Sequence, residues 1–208
     1  MRRMLLASAL LLLMLVPSVP AEPESLIVLK LEDTLEDNDL GIHAGAVSPD
    51  GLHVLIAGAD GYAHLLSASD AGDRSGDVEL NSGRSQSFSD LSWHPRGNTA
   101  LMAGEFGMAM RYDSSDYSIG PVEGSGAVFG LNFTSVEWRP AGDYAYFGAE
   151  DGSLWQFSAG TGFVPLNDTL PSEISDLTCH RQENICIAAT LNHGLAVIDQ
   201  THQVTYLP

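Results

Sequence analysis

Lysine is nearly missing from this sequence. Lys30 is the only one, and 9 basic residues face 27 acidic ones for a formal net charge of −18. So acidic a chain repels phosphate backbones, which excludes nucleic-acid binding through a basic stripe, and it disfavours adsorption to anionic membranes. The acid keeps a protein soluble or serves calcium or another cationic partner. Calcium would need oxygen ligands at Asp-x-Asp-x-Asp-Gly spacing, and neither LEDTLEDNDL nor SASDAGDRSGDVEL has it.

Cysteine is scarce too. Cys179 and Cys186 are the only two, too few for a tetrahedral zinc site, and seven residues apart they read as a hairpin disulfide. Enzyme signatures are missing: there is no Gly-x-Ser-x-Gly elbow and no Walker loop. Gly124-Ser125-Gly126 runs on to Gly130, one residue off a dinucleotide fingerprint, and Asp151-Gly152 lacks the intervening residue of a sialidase-type Asp box. The histidines (His43, His53, His64, His94, His180, His193 and His202) show no His-x-x-x-His spacing. These absences predict no catalytic, cofactor or metal residue.

Long apolar runs are missing except at the start. MRRMLLASALLLLMLVPSVPAEPES has two arginines, a short apolar run and a small-residue cleavage site, so residues 1–21 read as a secretory signal. The run is short for a membrane span, which needs about 20 residues. The protein is therefore expected to be exported (secreted, periplasmic or at the cell surface), with no membrane insertion after cleavage. Loss of Arg2 and Arg3 leaves seven basic residues against 27 acidic, a charge of about −20. An uncleaved anchor is the alternative.

What the chain does have is a repeat. GAVSPDGLHVLIAGADG is followed by SWHPRGNTALMAGEFG, EWRPAGDYAYFGAEDG and the weaker TCHRQENICIAATLNHG. Pro49, Pro95 and Pro140 lie 46 and 45 residues apart, and Gly61, Gly107, Gly152 and Gly194 lie 46, 45 and 42 apart. Each copy reads as a first strand (Ala44–Ser48, Ser89–Trp93, Thr134–Trp138, Asp176–Cys179) and a turn. The turn is marked by Pro49 and Gly51, Pro95 and Gly97, or Pro140 and Gly142. A second strand, apolar on both faces, runs to a tight turn at Asp60-Gly61, Phe106-Gly107, Asp151-Gly152 or His193-Gly194. The Asp-Gly pairs suit type I′ geometry. A third strand alternates, and a fourth, outer strand follows a polar loop.

This pattern predicts an all-β fold, a β-propeller of four-stranded antiparallel blades of about 45 residues. Four blades are present, at about 41–82, 87–124, 132–168 and 174–208. Residues 22–40 form an N-terminal segment with an outer strand, Leu26–Leu31.

The turn motifs carry a resemblance. Ser48-Pro49-Asp50-Gly51 with Asp60-Gly61, and Trp138-Arg139-Pro140 with Asp151-Gly152, resemble those of WD-repeat-like, YVTN-type β-propeller repeat proteins. The resemblance covers roughly residues 40 to 208 and implies the propeller fold and a scaffolding role. At the family's Trp-Asp positions stand Leu66-Ser67, Tyr112-Asp113, Phe157-Ser158 and Ile198-Asp199, so its structural hydrogen-bond network is not carried over.

The expected function is a non-catalytic scaffold binding a protein or glycan partner. Three alternatives stay open: a hydrolase or lactonase with acids or histidines at the axis, a fragment of a larger propeller, and a closed four-bladed ring. Self-association to complete a ring is expected if four blades do not close. Asn132-Phe133-Thr134 and Asn167-Asp168-Thr169 are glycosylation sequons at Asn132 and Asn167.

Overall fold

The computed structural model describes residues 41–68, 75–166 and 169–208, which all fall in one compact unit, Asp33–Pro208. The signal segment, the N-terminal strand and Asn167 lie outside the described residues.

Among the described residues, sixteen strands form four antiparallel sheets in simple order. Blade 1 holds β1 (Ile42–Val47), β2 (His53–Gly58), β3 (Tyr62–Ser67) and β4 (Val78–Asn81). Blade 2 holds β5 (Phe88–Trp93), β6 (Thr99–Gly104), β7 (Ala109–Asp113) and β8 (Ser118–Pro121). Blade 3 holds β9 (Phe133–Trp138), β10 (Ala145–Ala149), β11 (Leu154–Ser158) and β12 (Gly162–Pro165). Blade 4 holds β13 (Ile174–Cys179), β14 (Cys186–Thr190), β15 (Leu195–Ile198) and β16 (Val204–Leu207).

The inner strands pack in series, β1 on β5, β5 on β9 and β9 on β13, and β13 and β1 share no such packing. The described sheets thus form an open arc of four consecutive blades.

Each joint between blades is a separate apolar core, which is why the second strands are apolar on both faces. At the first joint Leu55, Ala57 and Leu65 meet Phe88, Met102 and Tyr112. At the second, Leu101, Ala103 and Val122 meet Phe133, Phe147 and Phe163. At the third, Tyr146 and Leu154 meet Ile174, Leu177, Ala188 and Ile198. Within one strand the alternation sends Leu101 forward and Met102 back, so a single blade feeds two cores.

The inner strands begin one or two residues earlier than the alternating pattern indicates. A register shift follows Ile42, Phe88 and Ile174, and its counterpart in blade 3 lies between Gly148 and Ala149. Such a bulge breaks the period of two, so the apolar residue ahead of it falls out of phase.

The first turn of blades 1 to 3 has one geometry. Gly51 N–H donates to Ser48 O, Gly97 N–H to His94 O and Gly142 N–H to Arg139 O, each at 2.8 Å. The prolines hold the second position, and the glycines take φ of 73°, 78° and 72°. Blade 4 has Glu183 at that position, and Asn184, one residue further on, takes φ 49°.

The tip turns correct the sequence expectation in part. Asp60-Gly61 (φ 52°, 71°) and Phe106-Gly107 (56°, 76°) are both left-handed, as type I′ requires. Asp151 and His193 are not left-handed; only Gly152 and Gly194 are, at 81° and 91°. Ala149 N–H donates to Ser153 O and Thr190 N–H to Gly194 O, each at 3.0 Å. The loop is no longer than in blade 2, where Gly104 N–H donates to Met108 O at 2.9 Å; in blades 3 and 4 the glycine alone takes the left-handed angle at the same loop length.

Candidate functional site

The inner strands bring three carboxylates together. Asp90 on β5 accepts Leu91 N–H on Oδ1 and Val136 N–H, across the joint, on Oδ2, each at 2.8 Å. Ser92 donates to Glu137 Oε2 at 2.7 Å and accepts Trp138 N–H at 3.1 Å. Glu137 in turn faces the Cys179 N–H. Side chains of one blade thereby cap the inner-edge N–H groups of the next, which no outer neighbour could satisfy.

Burial pushes the Asp90 carboxyl up to about 6 despite those two N–H bonds, with the Asp176 and Glu137 charges adding to the rise. Burial also raises Glu137, opposed by the Ser92 hydroxyl. Among the described residues no group of three or more ligating side chains is placed to hold a metal ion.

The histidines do not join this axial cluster. His43 Nδ1 meets Phe88 O at 2.8 Å, and His180 Nδ1 accepts from Gln182 N–H at 3.4 Å. His94 Nδ1 accepts Arg96 N–H at 3.1 Å, so its Nε2 carries the proton and donates to Gly142 O at 3.0 Å.

A cleft of about 440 Å³ opens between blades 2 and 3, within the size range of small-molecule sites. Trp138 and Phe157 form its aromatic wall, His94 stands edge-on to Trp138 at 4.7 Å between centroids, and Arg111, Glu123 and Asp143 supply charge. The Trp138 Nε1–H is buried without an acceptor among the described residues. Its counterpart Trp93 donates the same atom to Ala46 O at 3.0 Å.

Sequence reasoning missed Arg139, buried at the third joint. Its Nη2 pairs with Asp143 Oδ2 at 2.9 Å, Nη1 reaches Gln200 O at 3.4 Å, and the guanidinium lies over the Tyr144 ring at 5.3 Å. The signal was present in Trp138-Arg139-Pro140: it is the one arginine among the turn-opening positions Ser48, His94, Arg139 and His180.

The cysteines pair as expected. Cys179 stands opposite Cys186 in the β13–β14 register and the two are disulfide-bonded. The same cross-strand place is filled by Val47 and Val54, Trp93 and Ala100, and Trp138 and Ala145. Asn132 is exposed; its Oδ1 accepts Phe106 N–H at 3.1 Å and its Nδ2 donates to Glu150 Oε2 at 2.8 Å, which ties two blade tips together.

No protein-family model matches this chain, and no curated protein matches it. Among solved structures it is similar to a chain of hydrazine synthase from Kuenenia stuttgartiensis, with a TM-score of 0.63 and 15% identity. The match covers 85% of this chain and 51% of that one, so this chain spans about half of that protein's length. With 1228 solved chains matching, a likeness at this identity identifies the fold and selects no reaction.

Proposed function

We propose that this protein is a non-catalytic, exported propeller scaffold that holds a protein or glycan partner at the cell envelope or surface. The partner seats in the cleft between blades 2 and 3. The observation that carries this reading is a cleft walled by Trp138 and Phe157 and rimmed by charges of both signs, Arg111 against Glu123 and Asp143. An indole face stacks on a sugar ring or a planar side chain, while Arg111 supplies donors for hydroxyl or carboxylate groups.

The axial acids favour a second reading, a hydrolase or lactonase, because a carboxyl titrating near 6 suits a general acid. The scaffold reading is preferred because both Asp90 oxygens already accept backbone N–H groups. Titration of the full chain with a panel of oligosaccharides and short peptides, read by tryptophan fluorescence, tests the choice. Saturable quenching that is lost in Trp138→Ala and weakened in Arg111→Ala is expected. Turnover of ester or lactone substrates that Asp90→Asn abolishes would overturn it.

A further inference from the structure

The two ends of the arc carry the two halves of a blade joint. Ile42 occupies the register place of Phe88, Phe133 and Ile174, the residues that plug the preceding blade. Those three are 0%, 1% and 0% exposed, whereas Ile42 is 41% exposed. Val47, in the place of Trp93 and Trp138, is likewise open at 58%.

The trailing face of blade 4 mirrors this. Ile187 stands in the place of Leu101 and Tyr146, both 0% exposed in their joints, yet is itself 39% exposed. Leu195 takes the place of buried Ala109 and Leu154, and Leu207 that of buried Val122.

The polar capping repeats as well. Asp176 stands where Asp90 does, and Thr178 where Ser92 does. At the second joint those positions accept Val136 N–H and Trp138 N–H. The corresponding N–H groups on β1 are those of Gly45 and Val47, on the inner edge, because β1 bonds to β2 through the alternate residues, as Ser48 N–H to His53 O shows.

We infer that a second copy of this chain completes the ring. Blade 4 of each copy packs on blade 1 of the other, and two sets of four blades make eight. Eight lies inside the usual propeller range of about 4–8 blades, while a third copy would exceed it. Each new joint buries Ile187 and Leu195 against Ile42 and Val47 and sets Asp176 and Thr178 over the Gly45 and Val47 N–H groups. The joint is head-to-tail, and the two-fold operation closes it, so no filament forms. This inference is independent of what the Trp138 cleft binds.

Sedimentation equilibrium of the full-length protein tests it. The expected result is a single species of twice the chain mass that becomes monomeric in either Val47→Asp or Ile187→Asp. Both side chains are exposed within one copy, so each variant keeps its blade fold, which circular dichroism verifies. An equimolar mixture of the two variants regains dimer through its one intact joint. A monomeric wild type would overturn the inference, and so would a dimer that only one of the two variants disrupts, since that pattern means like faces pair.

Discussion

Asp90 is held by two N–H groups and still resists ionisation, because burial outweighs them. Its folded-state value of about 6 stands above the 3.8 of the unfolded chain. The stability it contributes is therefore fully present below about 3.8 and lost as pH rises through about 6. Asp90→Asn keeps an oxygen for Val136 N–H, gives up the acceptor of Leu91 N–H and removes the buried charge. Thermal melts should show the variant gaining roughly 3 kcal/mol on the wild type as pH rises from about 4 to about 7. A pH-independent difference would show that the carboxyl does not titrate there. At the third joint, Asp143→Asn deprives the buried Arg139 guanidinium of its anion. We expect a loss of about 1–3 kcal/mol in urea unfolding. The first turns were readable because proline and glycine act over four residues. The Asp90 and Trp138 environments were not, since their partners lie one whole blade away in sequence.

At the scale of the element, the blade is one hairpin plan with local substitutions. The Trp–Ala pairs of blades 2 and 3 become a disulfide in blade 4, whose first turn has lost its proline. A covalent tie between β13 and β14 substitutes for the missing turn chemistry. Reduction should cost about 2–3 kcal/mol by the loop-entropy argument. Hydrogen exchange should show β13 and β14 amides losing protection first. Uniform loss across all four blades would contradict a local role. Phe147, fully buried between blades 2 and 3, gives the opposite case: Phe147→Ala should cost about 3–5 kcal/mol and loosen both neighbouring blades. Strand identity was readable from the apolar runs. The tip-turn geometry was readable only for Asp60-Gly61 and Phe106-Gly107, because in blades 3 and 4 a loop of the same length puts the left-handed angle on the glycine alone, which the dipeptide does not reveal.

At the scale of the molecule, three equivalent joints leave one half-joint open at each end of the arc, and the proposed ring of two copies is built on these halves. Repetition made the four blades visible in the sequence, whereas whether they close depends on the rotation per joint, which no residue encodes locally. The most direct measurement replaces Val47 with a photoreactive phenylalanine analogue, irradiates the full-length protein and maps the product by mass spectrometry. A ring of two copies predicts a covalent dimer joined from position 47 to the Thr178–Ile187 region of the other chain. A crosslink from position 47 to blade 4 within the same chain would mean that four blades close on themselves, and it would contradict the open arc.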